Sequence, residues 1–198
     1  MGKIKHLNKV MNLFEKSEVV NFGDIERIIR DKRNAEGYAK RLINYLANKG
    51  KIKRLCKGHY TKKDNSDLAI FCFMPAYFGL QDAMSFHNLW EQETIPLIVT
   101  SKRVRNGLRK IFGSNVLIRR IDKKYFFGYE YFQEGNVALP YSDVEKTFID
   151  LIYFKERIGD EAILRFKKEI NKEKLNGYLE KYPESLRKRV EKILNNRQ

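Results

Sequence analysis

Three histidines and two cysteines are the residue types in this chain best suited to metal or nucleophilic chemistry. His6, His59 and His87 fall in separate elements, and neither Cys56 nor Cys72 is read as having a partner at the pair spacing of a zinc site. The expectation is no metal and no cofactor, with both cysteines as small core residues. His87 stands beside Phe86 and Leu89 in an apolar stretch, the setting of a structural histidine rather than a general base. Asp122, Lys123 and Lys124 have the Asp-x-Lys form of one class of metal nuclease, with Glu91 or Glu93 as distant acids. The trio falls where a turn is expected, and turns are rich in these types, so a nuclease is the remotest reading. No phosphate loop, dinucleotide fingerprint or strained serine elbow occurs. The chain is expected to act by binding, not as an enzyme.

Lysine and arginine offer more. They number 40 against 25 Asp and Glu, a formal charge of +15, which favours a polyanionic partner such as nucleic acid. Residues 1–63 hold 17 Lys and Arg against 6 Asp and Glu, whereas 64–154 hold 10 against 11. A small basic module therefore precedes a balanced, aromatic-rich body. The polar run Thr61 to Asp67 is the expected joint, dividing the chain into 1–63 and 64–198. Leu68 to Met74 is the longest apolar run, too short to cross a bilayer. MGKIKHLNKV lacks the apolar run of a secretory signal, so a cytoplasmic, reducing location is expected and no membrane partner.

The elements that must position the basic residues follow from periodicity. Ile4, Leu7, Val10, Met11 and Phe14 fall at helical spacing. Asp24 is read as the cap of a second helix through Ile25, Ile28 and Ile29, and Asn34 as the cap of a third, stopped by Gly50. Two strand-like pieces flank Lys57 and Gly58, a hairpin cue. This is the order of a winged helix-turn-helix, whose third helix enters the DNA major groove. Ala39, Leu42, Ile43 and Leu46 form its inner stripe, which leaves Asn34, Gly37, Lys40, Arg41 and Asn44 outside with Tyr45 on the flank. Asn pairs with adenine and Arg with guanine, while Lys and Tyr hold phosphates. The hairpin offers Lys51, Lys53, Arg54, Lys57 and His59 to phosphates or a minor groove. The competing reading is that these charges only solubilise a three-helix unit that makes protein contacts.

In residues 64–198, Leu68 to Met74 reads as a buried strand or helical turn, Gly79 to Leu89 as a helix and Ile95 to Thr100 as a strand. No element is assigned to 101–115. Val116 to Ile121 and Tyr125 to Phe132 read as a hairpin around Asp122 to Lys124. A strand near Val137 to Leu139 precedes a helix from Ser142 and further helices. The fold class is α+β: an N-terminal winged helix-turn-helix, a small mixed sheet with helices, and a helical C-terminal tail.

The Gly-His-Tyr of the hairpin, AMSFHNLW after Pro-Ala-Tyr-Phe, IPLIVT, and an aromatic strand with Gly128 before SDVEKTFIDLI together resemble the AbiEi family of antitoxins and transcriptional regulators. The likeness covers about residues 5–155. Gly58 and Tyr60 match the wing, Ala83, His87 and Leu89 the first helix of the body, and Glu145, Lys146 and Asp150 a later one. The resemblance implies a repressor of its own operon that binds double-stranded DNA and antagonises a nucleotidyltransferase-like toxin. Residues 64–198 would hold the neutralising surface, with Arg119, Arg120, Lys123 and Lys124 as candidates; alternatively these four merely solvate a hairpin. The alternative function is a winged-helix regulator whose body binds a ligand or dimerises, with no toxin partner.

Overall fold

The structure is a computed structural model that describes residues 5–92 and 94–195. It is mixed α+β and divides into two compact units, one of Met1–Cys72 with Lys110–Ser114, the other of Phe73–Arg109 with Asn115–Gln198. The division thus falls beyond the polar joint read at Thr61 to Asp67, because Leu68, Ala69 and Ile70 are buried and cluster with the first unit.

The first unit runs α1 (Leu7–Lys16), β1 (Val20–Asn21), α2 (Phe22–Ile28), α3 (Ala35–Asn48), β2 (Lys53–Cys56) and β3 (His59–Thr61). The three strands form an antiparallel sheet in the order β1-β3-β2. Val10, Phe14, Ile25, Ile29, Ala39, Leu42, Ile43 and Leu46 close one core, the helical stripes expected from spacing. Asn21, not Asp24, caps α2, for its side chain accepts from the Asp24 N–H at 2.9 Å. Asp24 therefore lies in the first turn, where its carboxylate faces the positive end of the helix. Asn34 caps α3 as expected, accepting from Gly37 N–H at 2.8 Å. Gly50, at φ 64°, ends it with the left-handed turn that glycine adopts without steric cost. The apolar run after β3 is helical, a 3-10 turn over Ser66–Ala69 leading into α4 (Ile70–Phe73).

The chain continues with β4 (Ala76–Phe78), α5 (Leu80–Phe86), β5 (Leu97–Thr100), β6 (Gly107–Ile111), β7 (Ser114–Arg120), β8 (Tyr129–Glu134), β9 (Val137–Ser142), α6 (Val144–Tyr153), α7 (Asp160–Glu169), α8 (Lys172–Leu179) and α9 (Glu184–Asn195), which make up the second unit apart from the β6–β7 tip Lys110–Ser114. Its mixed sheet has the order β6-β7-β5-β4-β9-β8, with β5/β7 and β4/β9 parallel and β4/β5 and β8/β9 antiparallel.

The hairpin expected between Val116–Ile121 and Tyr125–Phe132 does not form: β8 lies at the opposite edge of the sheet from β6 and β7 and pairs with β9. The cause is the connection. Tyr125 is buried and stacks on Tyr182 at 4.3 Å between ring centres, so the chain turns inward through a 3-10 turn at Lys123–Tyr125 instead of reversing at the surface. Segment 101–115, left unassigned by periodicity, supplies β6. Helix α6 is buried from Glu145 to Ile152 and is packed by α5, α7, α8 and α9. Among the described residues, no helix is long and apolar enough to cross a membrane.

Candidate nucleic-acid interface

All eleven positions singled out for DNA contact fall in the first unit. Asn34, Lys40, Arg41, Asn44, Lys51, Lys53, Arg54 and Lys57 are exposed, while Gly37, Tyr45 and His59 are half-buried. The inner stripe of α3 is held by the core, so Arg41 and Asn44 are presented outward. The Asn34 carboxamide oxygen, in contrast, is committed to the cap. A Cβ on Gly37 would stand 2.7 Å from that oxygen, so a side chain there would make the capping carboxamide shift as well as cover the outer face. Lys40 is paired with Glu36 at 2.6 Å; their hydrogen bond holds the Glu36 carboxyl below its usual range and Lys40 above its own.

After Gly50, Lys51 N–H bonds Leu46 C=O at 2.9 Å, which seats the hairpin directly against the end of α3. Lys53 is engaged twice, with Asp64 at 2.5 Å and over the Phe112 ring at 5.8 Å, so it is less free than Lys51 or Lys57 to meet a phosphate. Arg54 Nε donates to Cys56 C=O at 3.3 Å. Lys57 and Gly58 make the turn, with Gly58 at φ 82°. Sequence reasoning missed a further cationic surface in this unit: Lys9, Lys16, Arg27 and Arg30 line an open groove of about 580 Å³ along α1 and α2. The signal was present in the local excess of Lys and Arg, but only the fold aligns residues from two helices.

The cysteines correct the sequence reading. Cys56 at the end of β2 is bonded to Cys72 in α4, so they are not independent core thiols. His59 Nδ1 lies 3.4 Å from Cys56 Sγ.

No protein-family model matches this chain, and no curated protein matches it. A solved structure does. The chain is similar to the crystal structure of the RV2827C protein from Mycobacterium tuberculosis, with a TM-score of 0.60 and 14% identity over 96% of this chain and 76% of that one. At that identity the likeness is one of fold.

The family-like residues of the second unit form an internal clasp. Lys146 and Asp150 are fully buried and ion-paired. Tyr77 Oη donates to Asp150 at 2.6 Å, and Lys146 Nζ donates to Tyr182 Oη at 3.0 Å. The rings of Tyr77, Phe127 and Tyr182 surround the ammonium at 5.3 to 5.8 Å. Burial pulls Lys146 down and pushes Asp150 up despite their attraction. Asp143 caps α6 through Lys146 N–H at 2.7 Å and accepts from Tyr178 Oη at 2.7 Å. Glu145 accepts from Asn171 N–H at 2.8 Å. These carboxylates fasten α6 to its neighbours, and Asp150 is met by Lys146 and Tyr77. Gly128, at φ 69°, passes so close that a Cβ would meet Lys146 and Tyr178 at 2.9 Å.

Of the four candidates for a partner surface, Arg120, Lys123 and Lys124 are exposed, whereas Arg119 is tied to Glu156 at 2.9 Å and Lys124 lies 4.7 Å over the Tyr125 ring. Asp122 accepts from Lys124 N–H at 3.1 Å as a turn residue, and Glu91 is paired with Arg165. Glu93 lies outside the described residues. His87 Nε2 meets the Ser142 carbonyl at 2.7 Å. A carbonyl only accepts, so that nitrogen carries its proton and the ring acts as a strut between α5 and β9.

Proposed function

We propose that this chain binds double-stranded DNA through a winged helix-turn-helix in its first unit and acts as a transcriptional regulator. The observation that carries the reading is the outward face of α3, with Arg41 and Asn44 exposed, next to a basic hairpin in the most cationic part of the chain. Side chains of these types read base edges, and the lysines around them hold phosphates. The order of three helices followed by a hairpin supports the same reading. By the resemblance to AbiEi antitoxins, the second unit would antagonise a nucleotidyltransferase-like toxin, and the protein would act in the cytoplasm by binding rather than by catalysis.

The test is an electrophoretic shift of the full chain on the promoter of its own operon, set against a random duplex, over a salt series. Retardation of the promoter at lower protein concentration, with affinity falling linearly in log salt, is expected. Equal affinity for both duplexes would remove the regulatory reading, and the absence of any shift at low salt would remove DNA binding altogether. Toxin antagonism is read separately, by whether co-expression of this chain restores growth to cells expressing the neighbouring gene.

A further inference from the structure

We propose that Cys56, His59 and Cys72 form a binding site for a thiophilic divalent cation, of which zinc is the natural example, when the two cysteines are reduced. Three observations converge on it. The ligand atoms of these residues lie within 4.8 Å of one another. Cys56 and His59 are three positions apart, with Lys57 and Gly58 between them in the turn, the spacing of a metal knuckle, and the left-handed Gly58 lets the turn fold the two side chains to the same side. Cys72 is buried at 6% exposure and approaches from α4.

The distances suit zinc. Bonds of about 2.3 Å to sulfur and about 2.0 Å to nitrogen at tetrahedral angles place the two atoms about 3.5 Å apart. Cys56 Sγ and His59 Nδ1 stand at 3.4 Å. Two sulfurs on one zinc would stand about 3.8 Å apart, so the Cys56 and Cys72 side chains need only swing apart once their bond is broken; the Cα atoms, 6.4 Å apart, can stay in place. Two thiolates and one imidazole are a donor set that favours zinc, and three protein ligands leave a fourth position for water.

Disulfide and metal are alternative occupants of the same three residues. A dithiol reductant supplies two electrons and two protons to the Cys56–Cys72 bond and is itself oxidised to a disulfide, leaving two thiols. Metal binding then releases both thiol protons to solvent as two metal–sulfur bonds form, and His59 binds through an unprotonated Nδ1 with its proton on Nε2. In either state the hairpin is fastened to α4, so the fold keeps its clasp in oxidising and reducing surroundings.

The test uses the full chain, reduced with a phosphine that does not itself bind the metal as a thiol would. Zinc is titrated against a chromophoric competitor, and cobalt is added as a spectroscopic substitute. One equivalent of zinc bound, and a cobalt spectrum with thiolate charge-transfer bands in the near ultraviolet, are expected. Cys56→Ser and Cys72→Ser should each weaken zinc by more than tenfold. His59→Gln, which keeps both thiols and can still form the disulfide, controls for misfolding: it should stay folded by circular dichroism and also lose more than tenfold. The unreduced protein should bind zinc only after phosphine is added. Reduced wild type binding no more zinc than the Cys56→Ser variant, a cobalt complex without thiolate bands, or undiminished affinity in His59→Gln would overturn the site. None of these readouts depends on DNA binding, so the site and the regulatory reading stand or fall separately.

Discussion

Gly37 and Asn34 show how a single missing carbon shapes the candidate reading helix. Asn34 caps α3 in a geometry that a Cβ on residue 37 would force to shift. Losing such a cap costs about 1 kcal/mol, and Asn34→Ala should lose that amount in urea unfolding. Gly37→Ala in the Asn34→Ala background should instead stabilise by about 0.5–1 kcal/mol, the ordinary gain of alanine over glycine within a helix. In the wild type that gain is offset by the displaced cap. The same gain in both backgrounds would mean that the cap bond does not depend on Gly37. Lys146 and Asp150 pose the opposite case, two buried charges that need each other. Asp150→Ala should destabilise by about 3–5 kcal/mol, because it strands a buried ammonium. Lys146→Met with Asp150→Leu, and Tyr77→Phe to remove the hydroxyl that Asp150 accepts from, should recover most of the loss. If this triple variant were less stable than Asp150→Ala, the clasp would be a net source of stability rather than a satisfied internal cost.

At the scale of elements, α3 and the hairpin divide the proposed labour of recognition. Arg41→Ala and Asn44→Ala should each reduce discrimination between promoter and random duplex by about 1–3 kcal/mol. Lys57→Ala should weaken both duplexes alike and lower the slope of log affinity against log salt by about 1. Lys57 is a cleaner probe than Lys53, whose ammonium is held by Asp64 and lies over Phe112. Matched losses on both duplexes for Arg41 and Asn44 would take these side chains off the base edges. In the second unit, the aromatic run at 125–132 shows why strand content does not settle strand pairing. Tyr125 is drawn against Tyr182 and Tyr153, and that burial sends β8 to β9, across a turn whose Gly135 has φ 58°.

For the whole molecule, the division at Cys72/Phe73 bears on any attempt to separate its activities. A fragment of residues 64–198 would carry Leu68, Ala69 and Ile70, which are buried in the full chain, without the rest of the unit they belong to. A fragment of residues 73–198 omits them. The 110–114 tip is common to both, so the comparison isolates segment 64–72. The shorter fragment should elute as a single species and unfold cooperatively, whereas the longer one should self-associate. Equal behaviour on size exclusion would show that the segment needs no partner from the first unit.

What the sequence by itself determined were features settled within a turn or two of chain. The stripe of Ala39, Leu42, Ile43 and Leu46, the Asn34 cap, the stop at Gly50 and the turn at Lys57–Gly58 depend on neighbours three or four positions away, so periodicity and capping chemistry suffice. The uneven charge is likewise a property of composition. Only tertiary structure decided which strands pair, because β4 chooses among distant partners by burial and twist rather than by local pattern. It also decided that Lys146 and Asp150, one turn apart on what reads as an ordinary helix, are sealed from water by α5, α7, α8 and α9. Cys56 and Cys72 follow the same rule. The sequence reading found no metal-spaced partner for either cysteine, because the third member of the Cys56, His59 and Cys72 group comes from beyond the hairpin, and only packing α4 against that hairpin brings the second sulfur within reach.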